Sequence, residues 1–391
     1  MPPIFAICVL YGLGLTASMQ VGLVGPIAPD LRAGFDLSQA QFGLVASLIT
    51  AAGALFAIPA GVWAAQAGLR RSLVLGGLMM IIGAALFATA SSSGMLYVGR
   101  LVTSVGYLLI VVGAPSWMAN LGNARTVAVA MAMSIWGTFI PVGIAMGNWT
   151  SAAIVAWLDW RMAVIACTIP VAVLLPALML LTKPREQSFN RSLTSGISGV
   201  LKSRPAMQIA LTFAAFAGAT SASLAFMPAM MADNLAISIP LAAAIIGITA
   251  IAGNIIGSVG AGMALGREIP GRIMLAIGLP VMAAAIFILF VSQIITISVL
   301  TLILFNIGQG VVAGTCFALL PRIADRNLSM PALQGMLAQF AEIFVVIVPP
   351  VAGAMIDWAN WKGAAFLLAG FYLAGFVISL RYRQVRVVTA G

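Results

Sequence analysis

Apolar residues run almost without interruption through this 391-residue chain, and only 7% of its residues carry a charge. A soluble domain is about one quarter charged, so lipid rather than water must be the solvent for most of this surface. One long polar stretch, KPREQSFNRSLTSGISGVLKSR from Lys183 to Arg204, falls near the midpoint. The apolar runs on either side are long and lack the alternation of barrel strands, so each reads as a membrane-spanning helix. At roughly 32 residues per helix and loop, the length predicts about twelve of them.

The expected spans are 4–28, 40–65, 72–92, 95–119, 127–149 and 161–182 in the first half, then 206–231, 240–265, 272–292, 295–320, 332–356 and 362–382. The organisation predicted is a six-helix bundle over 1–182, a cytoplasmic linker over 183–205 and a second six-helix bundle over 206–391. The opening MPPIFAICVLYGLGL lacks a basic region and stays apolar to about Ile27, so it reads as the first span rather than a signal peptide.

A net charge of +10 would suggest nucleic acid in a soluble protein, but here the basic residues sit at the ends of apolar runs and read as topology determinants. With the N-terminus inside, Arg70, Arg71, Arg125, Lys183, Arg185, Arg191, Lys202, Arg204, Arg267, Arg272, Arg322, Arg326, Arg381, Arg383 and Arg386 are cytoplasmic. The outside keeps Arg32, Arg161 and Lys362, and Arg100 lies within a span. A multi-pass protein of the cell (inner) membrane with both termini cytoplasmic is therefore expected. Trp149, Trp157, Trp160, Trp358 and Trp361 cluster at outer span ends, as an interfacial belt would.

The halves repeat. VVGAPSWMANL from Val111 resembles VVAGTCFALLP from Val311, and each is followed by a basic loop, a proline-containing span and a Trp-basic pair, Trp160-Arg161 or Trp361-Lys362. Gly25-Pro26 near Asp30 loosely matches Met227-Pro228 near Asp233. Six spans separate the copies, so the repeat is parallel, which is a transporter arrangement with a site near the membrane midplane.

On these residues the whole chain resembles the major facilitator superfamily. The loop after the second span, Gly61-Val-Trp-Ala-Ala65-Gln66-Ala-Gly68-Leu-Arg70-Arg71, is similar to that family's signature, with Gly61, Gly68, Arg70 and Arg71 matching. Ala65 and Gln66 replace the acid and its basic neighbour, which removes the usual charged latch. A weaker copy surrounds Gly262, Arg267, Gly271 and Arg272. In the fifth span, Pro141, Gly143 and Gly147 partly resemble the glycine-proline motif of drug/proton antiporters, with Ile140 in place of the glycine before the proline. Short loops and few membrane charges are loosely similar to the cyanate-permease-type branch. The resemblance implies an all-α fold of two pseudo-symmetric six-helix bundles that move a small solute by alternating access.

The candidate substrate and coupling residues are the polar groups inside spans. Arg100, with Thr103 and Tyr107 on the same helical face, resembles the family's intramembrane arginine. A guanidinium there costs roughly 3 kcal/mol on insertion scales, so it faces either a solute and proton path or backbone carbonyls that use it to hold helices together. Glu342, one turn after Gln339, is the mid-span acid. A carboxyl among apolar residues is suited to gaining and losing a proton near neutral pH, although a neutral carboxyl bonded across helices is the structural alternative. Gln20, Asn254, Asn306 and Gln309 add amides, and Thr220, Ser221 and Ser223 hydroxyls. Trp117 and Trp136 are candidate cavity walls or packing residues.

No enzyme is expected: the chain has no histidine and no paired intramembrane carboxylates for a nucleophile-base constellation. Cys8, Cys167 and Cys316 stand singly in apolar segments and read as core residues. No phosphate-binding loop and no cofactor or metal site is apparent, and a channel would want a filter that is not visible. The partners expected are a small-molecule substrate, protons and the bilayer, with the protein acting as a monomer. Uptake of a neutral or weakly anionic metabolite is the reading, and drug or metabolite efflux by antiport the alternative.

Overall fold

A computed structural model of the chain describes residues 3–37, 39–121, 127–182, 193–324 and 328–382. The topology assignments for Arg125, Lys183, Arg185, Arg191, Arg326, Arg383 and Arg386 lie outside these residues, as does the first half of the central polar run. Helices make up nearly all of what is described. In the first half they are α1 (Pro3–Gly22), α2 (Ala28–Phe35), α3 (Gln39–Ala67), α4 (Leu69–Ala88), α5 (Ser93–Ala119), α6 (Val127–Trp136), α7 (Phe139–Val155) and α8 (Trp160–Leu180). Then follow α9 (Leu193–Lys202), α10 (Arg204–Leu235), α11 (Ile239–Gly266), α12 (Gly271–Val291), α13 (Ile295–Ile323) and α14 (Met330–Leu380).

Among the described residues ten helices are long and apolar enough to cross a membrane, and the bent pair α6 and α7 makes an eleventh span. The twelfth comes from α14. Its 51 residues would reach about 76 Å as one rod, more than twice the ~30 Å apolar thickness of a bilayer. The backbone leaves helical geometry at Ala359 and Asn360, where φ at Asn360 is 55°, and two spans result.

Proline and glycine chemistry explains where the structure departs from the sequence expectation. The first span ends at Gly22, short of residue 28, because a run of turns carrying Gly25 and Pro26 leads into the separate helix α2. The fifth span bends by 46° between Trp136 and Phe139. Pro141 has no N–H for the carbonyl four residues back, that of Gly137, so the ladder opens there. The second half of the polar run is not all loop: α9 forms over Leu193–Lys202, and Ser203 caps α10 by accepting from Ala206 N. Gly68, at φ 93°, makes the tight turn from α3 into α4, a conformation that a side chain would strain.

Two compact units form. One comprises Met1–Leu121, Phe139–Ile197 and Arg326–Gln339; the other comprises Gly122–Thr138, Ser198–Asp325 and Phe340–Gly391. Each unit therefore takes a segment from the opposite half of the sequence. In the first, α4 packs on α5 and α8, α3 on α5, and α1 on α5, α7 and α8. In the second, α11 and α12 pack on α13, and α6 lies against α11 and α13.

Close crossings show the repeat in three dimensions. A Cβ added at Gly106 would sit 2.5 Å from Gly76 O and 2.6 Å from Met80 Cγ; one at Gly308 would sit 2.6 Å from Met282 Cγ and 3.7 Å from Gly278 O. The α4/α5 crossing thus recurs as the α12/α13 crossing with the same residue types. Aromatic contacts recur too: Phe87 meets Trp160 edge-on at 5.8 Å, and Phe290 meets Trp361 at 6.2 Å. These tryptophans pack inward, and Trp361 Nε1 donates to Asp233 Oδ2 at 3.1 Å. Only Trp149, Trp157 and Trp358 of the expected belt are exposed. Gly106→Val is expected to lower the stability of the purified protein by about 3 kcal/mol, the upper range for overpacking, read as a lower melting temperature in detergent.

Exposed Leu55, Val173, Ile248, Leu300 and Phe366 complete the picture. Large apolar side chains facing outward along the spans suit a lipid solvent.

Candidate functional site

In the first unit, Arg100 is buried on α5 and reaches two other helices. Its Nη1 donates to Gln20 O at 2.8 Å and its Nε to Val45 O at 3.0 Å. Gln20 belongs to the last turn of α1, whose carbonyls lack partners within the helix and carry the negative end of its dipole. A guanidinium there satisfies an orphan acceptor and is itself partly compensated. Nη2 has no hydrogen-bond partner, and no acid pairs with Arg100 among the described residues. The Phe87 ring lies 5.8 Å from the guanidinium carbon.

Gln20 extends the same cluster. Its Nε2 donates to Cys167 O at 3.2 Å and to Thr168 Oγ1 at 3.1 Å, linking α1 to α8. Thr103, expected to share the arginine's polar face, donates to Gly99 O in its own helix at 2.9 Å. Tyr107 is buried on the same helix. Ser104 accepts from Ala52 N at 2.9 Å and so ties α5 to α3. Sequence alone gave no signal for that bond.

The signature loop has a second basic tether. Arg70 donates through Nη2 to Leu181 O, at the C-terminal end of α8, and lies 5.9 Å from the centre of the Trp117 ring. Trp117 is fully buried and its Nε1 has no partner. Arg71 is exposed. Glycines of the fifth span pack α7 on α1: a Cβ at Gly143 would meet Ser18 and Leu15, and one at Gly147 would meet Met19. This four-residue spacing of small residues suits close helix packing in lipid.

In the second unit an amide layer joins α11 to α13. Asn306 Nδ2 donates to Thr249 Oγ1 at 3.2 Å, and Asn254 Nδ2 donates to Gln309 Oε1 at 3.2 Å and to Ala250 O at 3.0 Å. Asn306 and Gln309 are buried, yet Asn306 Oδ1 and Gln309 Nε2 have no partner. One acceptor and one donor are thus left a turn apart on α13. Thr220 and Tyr372 share a hydrogen bond at 3.1 Å, and Ser223 donates to Ala219 O. Trp136 is fully buried on α6. Beyond α14, burial pushes the Tyr382 phenol up to about 12 against the opposing charge of Arg322, so it stays neutral.

Glu342 lies in the second unit, part-buried, about three turns into α14. Its carboxyl has no hydrogen-bond or ion-pair partner among the described residues. Gln339, predicted on the same face, belongs to the first unit and is bonded to α3: its Oε1 accepts from Ile58 N at 3.0 Å and its Nε2 donates to Leu55 O at 3.3 Å. Arg100 and Glu342 likewise belong to different units. Among the described residues no group of three Cys, Asp or Glu side chains comes together as a metal site.

Stacked apolar spans, a structural repeat and buried polar clusters inside each unit define a multi-pass helical membrane protein. The family model of the Major Facilitator Superfamily matches residues 10–345, and the chain belongs to that family. Among solved structures it is similar to the transporter FucP in the outward conformation, with a TM-score of 0.82 and 17% identity over 98% of this chain and 100% of that one. It is also similar to the proton:xylose symporter XylE, with a TM-score of 0.76 and 14% identity over 96% and 94% of the two chains. An MFS-type transporter, criB of Aspergillus cristatus, is 25% identical over 143 residues, which are 36% of this chain and 30% of that protein.

Proposed function

We propose that this chain is a proton-coupled secondary transporter that takes up a small neutral or weakly anionic organic solute by alternating access. The observation that carries the reading is Glu342, an acid deep in a span with no partner for its carboxyl, at the point where α14 has just passed from one unit to the other. A carboxyl without a fixed cation is free to take a proton in one state and release it in another. Within the second unit, the unpaired amide atoms of Asn306 and Gln309 are the groups we assign to the solute. The names of similar structures lend support, since XylE is a proton:xylose symporter.

Flux into proteoliposomes tests this directly. Saturable uptake with counterflow, increased when the solute side is acidic, is the expected result; linear uptake without counterflow would rule out a carrier. Gln309→Met separates the role of the amide layer from packing. Gln309 Nε2 is already unpaired, and Asn254 Nδ2, which loses Gln309 Oε1, keeps Ala250 O, so stability should fall by about 1 kcal/mol, while solute uptake should fall several-fold.

A second reading, efflux by proton antiport, is supported by the bend ahead of Pro141 and the glycine crossing that follows it. The sign of the pH gradient that drives accumulation distinguishes the two.

A further inference from the structure

Proline 59 stands inside α3, and a proline has no N–H to offer the carbonyl four residues earlier. In α3 that carbonyl is Leu55 O. Elsewhere in a membrane protein such a gap is closed by a neighbouring side chain or by water. Here Gln339 closes it: Nε2 donates to Leu55 O at 3.3 Å while Oε1 accepts from Ile58 N at 3.0 Å. One amide therefore reads both a carbonyl and an N–H at the proline break, a two-point match that no apolar side chain can make. Its segment, Arg326–Gln339, is the part of the second sequence half that belongs to the first unit.

The approach is close along its whole length. A Cβ at Gly61 would strike Pro331 O, and one at Gly335 would strike Ala57 O. The corresponding crossing in the other unit places Gly262 against Met131, where an added Cβ would lie 2.9 Å from Met131 Cα. Yet the amide has no counterpart there. Two residues before Gly61 is Pro59, whereas two before Gly262 is Gly260; Gln339 follows Pro331 by eight residues, whereas Phe139 stands eight beyond Met131. The glycine contacts recur in both units, and the key at the proline break does not.

We propose that Gln339 and Pro59 form a one-sided conformational latch: the amide completes the α3 ladder only while the 328–339 segment lies on α3, and so favours the state in which this end is closed. This rests on the alternating-access reading, but not on the identity of the solute or on proton coupling.

The test is a double-mutant cycle read without transport. A cysteine introduced by Ala338→Cys in a Cys8→Ser background reports opening of this end through its rate of alkylation by a water-soluble maleimide, since Cys167 and Cys316 are buried. Gln339→Met keeps the side-chain length and removes the amide; it is expected to raise the rate about five- to tenfold. Pro59→Ala restores the N–H to Leu55 O, and in that background Gln339→Met should change the rate less than about twofold. Equal effects in both backgrounds would show that Gln339 acts by packing, and no effect in either would show that the amide does not bias the state; both outcomes overturn the latch. Gln339→Asn, an amide one methylene too short, should open the end as Gln339→Met does and serves if the Met variant folds poorly. Alkylation is measured with no solute present, so a failed flux assay leaves this result interpretable.

Discussion

Glu342→Gln is expected to reduce pH-gradient-driven accumulation by about tenfold or more, the scale of a lost coupling free energy of 1–3 kcal/mol, while leaving solute counterflow within about twofold. The reasoning is structural. The carboxyl has no hydrogen-bond or ion-pair partner among the described residues, so the amide that replaces it breaks no contact and keeps the shape. What it removes is the ability to gain and lose a proton. Counterflow needs the carrier to exchange solute between its two faces but needs no net proton movement, so it isolates the carrier cycle from its energy source. A variant that still accumulated solute along a proton gradient would exclude Glu342 as the coupling group. One that lost counterflow as well would place the residue in solute binding or in the conformational cycle.

Arg100→Met should destabilise the first unit by about 2–4 kcal/mol, the cost of leaving two buried carbonyls without a donor at about 1–3 kcal/mol each, partly offset because a buried charge with no acid beside it is removed as well. Two main-chain carbonyls lose their donor together: Gln20 O at the end of α1 and Val45 O in α3. Gln20 O is the more costly, because a carbonyl in the last turn of a helix has no internal partner to fall back on. Arg100→Lys keeps the charge but not the planar fork that reaches both carbonyls, so an intermediate loss is expected. Thermal melting in detergent measures both. If Arg100→Met melts with the parent protein, the guanidinium is not a tether, and its role must be sought in the solute alone. If Arg100→Lys is nearly as stable as the parent but its uptake KM rises, the unpaired Nη2 is the group that meets the solute.

Both predictions concern residues that the sequence brings forward for the same reason, since an ionisable group in lipid is expensive and must be accounted for. The structure separates them. Arg100 engages two of its three nitrogens with backbone carbonyls and keeps Nη2 unpaired, while the Glu342 carboxyl has no partner among the described residues. Gln339 shows the opposite lesson. Its position one turn before Glu342 suggests a shared polar face, yet it sits in the other unit and its amide is committed to the break at Pro59.

Hydropathy determined the class of this protein and the approximate edges of its helical spans, while recurring motifs carried the parallel repeat and the resemblance to the family. That information is local, because a spanning helix must satisfy its own backbone and carry an apolar surface wherever it lies in the chain. Proline and glycine were visible as well, but not which neighbour would fill the gap each leaves. Only the tertiary structure decided that Gln20 O accepts from Arg100, that Ser104 reaches Ala52, that an amide layer joins α11 to α13, and that 326–339 packs with the first unit. Those pairings join residues far apart in sequence, and their identity depends on which helices approach closely enough to exchange a hydrogen bond, a property of the packed molecule rather than of any one segment.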